Sequence, residues 1–88
     1  MSLVNYFENV KGIGIFGTAD RAGKVDLAIY ARPEVIDEET VAFLMEDHLS
    51  HRNVAATPYA AYLFLEDAEG YNGLRMHLTK TAEETDPE

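Results

Sequence analysis

The 88-residue chain contains no cysteine and no tryptophan. Without thiols, no disulfide can brace the fold, no thiolate can ligate a metal, and none can attack a substrate. Positive charge is also scarce. Seven Lys and Arg against sixteen Asp and Glu leave a formal charge of −9, and a surface of that sign repels a phosphate backbone, which argues against a nucleic-acid partner. No apolar run approaches the ~20 residues of a membrane span. The opening MSLVNYFENV lacks the basic end and apolar centre of a signal peptide, so the expected setting is cytoplasmic, with no membrane partner. What the chain does have is a hydrophobic fraction of 47%, which is ordinary for a folded domain and too high for a disordered one. A chain this short forms one small domain that buries only about 60% of its unfolded surface, so its core is marginal.

Local patterns give the order of elements. Leu3, Val4, Tyr6, Phe7 and Val10 have helical spacing after Ser2, a suitable N-cap, and Gly12 closes that helix. Ile13 to Ala19 reads as a strand, Asp20-Arg21-Ala22-Gly23 as a turn, and Lys24 to Ala31 as the returning strand. Arg32-Pro33 ends regular pairing, because proline has no N–H to donate. Asp37-Glu38-Glu39 is a polar turn before a third strand over Thr40–Met45, and a short helix follows over His48–Thr57, stopped by Pro58. YAAYLFL (Tyr59–Leu65) is a fourth strand, apolar on both faces and therefore central. Leu74–Lys80 is a fifth, and the tail 81–88, TAEETDPE, is acidic and loose. Strands joined mainly by hairpins around one inserted helix predict a mostly β fold, an antiparallel barrel or half-barrel.

Three motifs bear on chemistry. Gly12-Ile13-Gly14-Ile15-Phe16-Gly17 matches G-x-G-x-x-G, but the dinucleotide fingerprint needs a helix to begin inside it, and here the motif is itself a strand. Its glycines instead let backbone or a flat ligand come close. His48 and His51 follow Glu46 and Asp47, yet the acids are misplaced for a zinc site and no third ligand lies downstream, so no metal is expected. The start of the His48 helix suits an anion, because free N–H groups and the positive end of the helix dipole point outward there. Ser50 and Arg52 could add donors to it, and Arg32 could approach from the end of the second strand. No Ser-His-Asp order or nucleophile elbow is present.

From Lys11 to Lys80, the stretches GIGIFGTADRAGKVDLAIYARP, TVAFLMEDHLSHRNV, TPYAAYLFLED and GYNGLRMHLTK follow one another in an order that resembles the pyridoxamine 5′-phosphate oxidase-like flavoproteins, the FMN-binding split barrels. The resemblance implies a six-stranded antiparallel split β-barrel over residues 1–80, incomplete at the C-terminus, since relatives continue beyond the position of Glu83-Glu84. It implies a homodimer with FMN in the cleft between subunits. The backbone of Ala28, Ile29, Tyr30 and Ala31 would run along the isoalloxazine. Arg32 would reach the phosphate, as would His48, Leu49 and Ser50, with Asn53 at a position where relatives carry an amide. Relatives often have Arg or Lys in place of His48 and Ser in place of Ala31, and a neutral imidazole holds phosphate less firmly than a guanidinium fork. The implied activity is that of an FMN-dependent oxidoreductase of unassigned substrate. The alternatives are a non-catalytic module of the same fold holding flavin or haem, or a cofactor-free structural dimer.

Overall fold

A computed structural model describes residues 2–45, 48–67, 69–70 and 72–83, with His48 described through its backbone only. The fold is mostly β, with two short helices. Helix α1 (Leu3–Asn9) opens on Ser2, whose hydroxyl accepts the Asn5 N–H at 3.1 Å. Strand β1 (Gly12–Ala19) turns back into β2 (Val25–Tyr30) through Asp20–Lys24, where the Asp20 carboxylate accepts the N–H groups of Ala22 and Lys24 and Gly23 takes φ +85°. Next come β3 (Glu34–Asp37), β4 (Thr40–Ala42), α2 (His48–Ala56), β5 (Tyr59–Glu66) and β6 (Gly73–Thr79).

Among the described residues six strands stand where five were expected from the residue pattern. The extra one, β3, is four residues long and mostly exposed, and it pairs with β4 through an irregular register. The strand expected over Thr40–Met45 ends at Ala42, because Phe43 and Met45 leave the ladder to pack on the core. Strands form two antiparallel sheets, β2-β1-β5-β6 and β3-β4, and they do not close into a barrel among the described residues. As expected for a strand apolar on both faces, β5 is central, between β1 and β6.

The four-stranded sheet has an inner and an outer face, set by the period-two alternation of its side chains. Gly14, Phe16, Thr18, Tyr30, Tyr62 and Phe64 are buried on the inner face. Residues of both helices, with Val35, Phe43 and Met45, pack there. Phe7 and Tyr6 of α1 meet Phe64 edge-on, with the Phe7 ring at 5.4 Å, and Phe43 lies 4.9 Å from both Phe16 and Tyr62. Val54 of α2 completes the cluster. Such aromatic pairs each add about 0.5–1.5 kcal/mol beyond area burial, which matters in a core of seven buried hydrophobic residues.

One buried hydroxyl makes the α1 contact pH-dependent. Tyr6 donates to Glu66 at 2.6 Å, and its hydroxyl is pushed up to about 12, first by burial and then by the Glu66 carboxylate. The unfolded chain loses this proton near the ordinary value of 10, so between those values the unfolded state binds fewer protons than the folded one. Stability from this group is therefore complete below pH 10 and falls as pH rises toward 12. Replacing Tyr6 with Phe should cost about 1 kcal/mol at neutral pH and flatten this alkaline loss. Urea midpoints measured across alkaline pH for both proteins check it.

Candidate functional site

Two surface cavities stand out among the described residues. The larger, about 440 Å³, lies where α1 and the β3–β4 turn meet β6, and Glu38 and Glu39 line it beside His77. Two carboxylates make it a poor seat for a phosphate-bearing ligand. The smaller, about 290 Å³, is walled by Gly12, Ile13 and Gly14 of β1, by Phe64 of β5, and by Ile29, Tyr30, Ala31 and Arg32 at the end of β2. Its lining is mostly apolar, with Arg32 as its one charged residue.

The local sequence explains this cavity. Pairing of Gly14 with Tyr30 ends the regular β1–β2 ladder. Beyond it Ala31-Arg32-Pro33 leaves the sheet, and Pro33 has no N–H with which to continue. The departure leaves β1 without a β2 partner at Gly12 and Ile13. Arg32 spans the gap: its guanidinium donates to the Phe7 carbonyl and stands over the Phe64 ring, 5.5 Å from the centroid. A guanidinium has five N–H donors, so that one bond leaves donors for an anion. Arg32 also reaches Tyr62 electrostatically. Burial pushes the Tyr62 hydroxyl up, and the Arg32 charge pulls it partly back.

The G-x-G glycines serve packing. A Cβ on Gly14 would lie 1.9 Å from the Tyr62 hydroxyl oxygen, and one on Gly12 would lie 2.1 Å from the Leu65 carbonyl oxygen. Their absent side chains make room for β5, and Tyr62 uses that room to donate to the Ala31 carbonyl at 3.3 Å. The close approach read from the motif is that of protein to protein. Among the described residues, no helix begins inside it.

The residues expected to hold a cofactor fall into two groups. Ile29, Tyr30, Ala31 and Arg32 line one cavity. Ala28, opposite Phe16, is half-buried and packs on the core. The others belong to α2. Leu49 is exposed, whereas Ser50 is fully buried and Asn53 is buried with its amide donating to the Thr18 hydroxyl at 3.1 Å. The His48 backbone opens the helix, and its side chain lies outside the described residues, as do Glu46 and Asp47. Thr18 and Gly12 are six residues apart on β1, so Asn53 and Arg32 sit at opposite ends of the sheet, separated by about 20 Å along the strand.

The residues that sequence reasoning missed at this cavity are Ile13 and Phe64. Both lie in segments already read as strands, Phe64 in one apolar on both faces, and the signal for the place of Ile13 was the neighbouring glycine pair. His51, considered beside His48 for metal, meets Glu83 instead, Nε2 to Oε2 at 2.6 Å, and Lys80 meets the other oxygen of Glu83 at 2.9 Å. Bonds from Lys80 and then His51 hold the Glu83 carboxyl below the usual carboxylate range. The first part of the acidic tail is thus tied to α2. Among the described residues, no group of three or more His, Asp or Glu could hold a metal ion, and no helix is long and apolar enough to cross a membrane. No family model, curated protein or solved structure matches the chain.

Proposed function

We propose that the chain is an FMN-binding split-barrel homodimer, and that the cavity at the end of β2 receives the flavin. The observation that carries this reading is the cavity's lining: mostly apolar, from Ile13, Ile29, Tyr30, Ala31 and Phe64, with one arginine beside them. An apolar slot suits an isoalloxazine ring, and a guanidinium suits the phosphate of the same molecule. On a chain of charge −9, a dianion needs a local cation to offset the mean field, and Arg32 is that cation.

The volume sets a limit. At about 290 Å³ the cavity falls just below the ~300–1,000 Å³ usual for small-molecule sites, so one chain holds only part of the cofactor. Ser50 and Asn53 are buried in their own chain at the other end of β1, so of the residues expected to hold the phosphate Arg32 is the one at this cavity. A second copy completes the site.

FMN, when bound, supplies hydride or single-electron transfer. The chain's own part is to grip the ring between apolar side chains, hold the phosphate and exclude water. The cavity wall carries no His, Asp, Glu or Lys, so it offers no side chain that titrates near neutrality to shuttle protons. That favours, as the second reading, a module that holds its cofactor without turnover. Visible spectra of the purified protein equilibrated with FMN or with haem separate the cofactor classes. Retention of flavin bands after gel filtration is the expected result. Retention of a haem Soret band with no flavin would overturn the choice of ligand.

A further inference from the structure

The larger cavity lies beside an open strand edge. Among the described residues β6 pairs with β5 alone, and its register runs without a bulge or a proline from Gly73 to Thr79. The phase of that ladder is fixed at both ends, where the Glu66 N–H donates to the Asn72 carbonyl and the Lys80 N–H to the Pro58 carbonyl. Hydrogen-bonded pairs alternate along an antiparallel ladder. Leu74, Met76 and Leu78 therefore bond to β5, whereas Arg75, His77 and Thr79 aim their N–H and C=O groups away from it. Side chains alternate as well: Met76 and Leu78 lie on the inner face, opposite Tyr62 and Ala60, and His77 lies on the outer one. All three line the cavity, and no residue of β5 does. The cavity thus flanks the free side of β6, and an open edge is a template for another strand.

Across the gap stand Leu3, Val41 and the turn residues Glu38 and Glu39. Glu38 accepts the Leu3 N–H at 3.1 Å, and a carboxylate has lone pairs left for further donors. Both acids are exposed, neither belongs to an ion pair among the described residues, and the lining holds no Lys or Arg. We propose that this gap takes an extended basic peptide of a partner protein, added to β6 as one more antiparallel strand. The backbone of Arg75, His77 and Thr79 pairs with the peptide. Its inward side chains are Lys or Arg, with stems on Leu3, Val41, Met76 and Leu78 and charged ends at Glu38 and Glu39. Charge selects this occupant. The chain's own tail, TAEETDPE, is acidic, and a second copy docked on the same edge would bring two more carboxylates to a gap that already holds two. At about 440 Å³ the gap is within the ~300–1,000 Å³ of ligand sites. It shares no lining residue with the cavity at the end of β2, so the proposal stands apart from the flavin.

The probe is a short capped peptide of alternating lysine and valine, titrated into isotope-labelled protein while amide exchange is followed residue by residue. Binding should slow exchange at Arg75, His77 and Thr79, whereas Leu74, Met76 and Leu78, already bonded to β5, should change little. The glutamate–valine counterpart should not bind. In an antiparallel strand with its lysines inward, the valine N–H groups face β6, so N-methylation of the valines should abolish binding with the charge unchanged. Glu38→Gln with Glu39→Gln keeps an acceptor for the Leu3 N–H and should weaken binding by about three- to tenfold, the scale of two exposed ion pairs. No binding of the lysine–valine peptide, equal binding of its N-methylated form, or protection confined to other strands would overturn the proposal. Slow exchange at Arg75, His77 and Thr79 in the protein alone would overturn it too, because this chain or a second copy would then already cover the edge.

Discussion

Gly14→Val is expected to unfold the protein or come close to it, lowering stability by more than ~3 kcal/mol, beyond the usual cost of overpacking. The first atom of the new side chain would overlap the Tyr62 hydroxyl at 1.9 Å and the Tyr30 carbonyl oxygen at 2.6 Å. Neither can retreat easily. Tyr62 has no exposed surface, and its ring packs against Phe7, Phe16 and Phe43. The Tyr30 carbonyl belongs to the backbone that pairs with Gly14 itself. A small domain has little reserve to absorb such a loss. Gly23→Ala is the contrasting case. Nothing lies within 4 Å of a Cβ there, and only the φ of +85° opposes the substitution, a cost of about 1 kcal/mol. Urea midpoints of the two variants, compared at equal m-value, test the difference.

Arg32→Ala is expected to weaken FMN binding by about tenfold to a hundredfold, the value of a charge-assisted hydrogen bond of ~1.5–3 kcal/mol. Arg21→Ala should change little, because Arg21 is exposed in the β1–β2 turn, at the far end of β2 from the cavity. Arg32→Lys should recover part of the loss, since it keeps the charge but not the planar fork. His48→Arg should tighten binding if the start of α2 meets the phosphate. Arg32 also donates to the Phe7 carbonyl, so each variant's stability is measured beside its affinity. A loss of affinity without a matching loss of stability assigns the effect to the ligand.

Much of the architecture was legible locally. Ser2, Asp20, Gly23 and Pro58 act on their near neighbours, and the N-cap, turn and stop they specify stand where they were expected, whereas the first helix ends on an extended Val10 cap and Gly12, expected to close it, opens β1. What escaped depended on distant contacts. The segment Glu34–Asp37 follows a proline and has only a short, bulged partner, so nothing nearby marks it as a strand. Phe43 and Met45 continue an apolar run that reads as strand, but the core draws them out of the ladder. Part of the candidate site was legible in the same way: Ile29 to Arg32 is one continuous segment at one strand end, and it lines one cavity. Ser50 and Asn53 show the opposite case. Their polarity suggested a ligand-facing side, yet Asn53 turns inward to Thr18, 35 residues away in sequence, and no local pattern encodes that contact. YAAYLFL reads as apolar on both sides, and Leu63 and Leu65 are exposed on the side away from the core.

The central claim is that two chains together hold FMN. Sedimentation velocity recorded in the visible band of the flavin, on protein mixed with FMN at one equivalent per chain, tests both halves at once. The account predicts a single coloured boundary at twice the chain mass. Flavin colour left behind with the slow, free cofactor while the protein sediments without it would contradict the account.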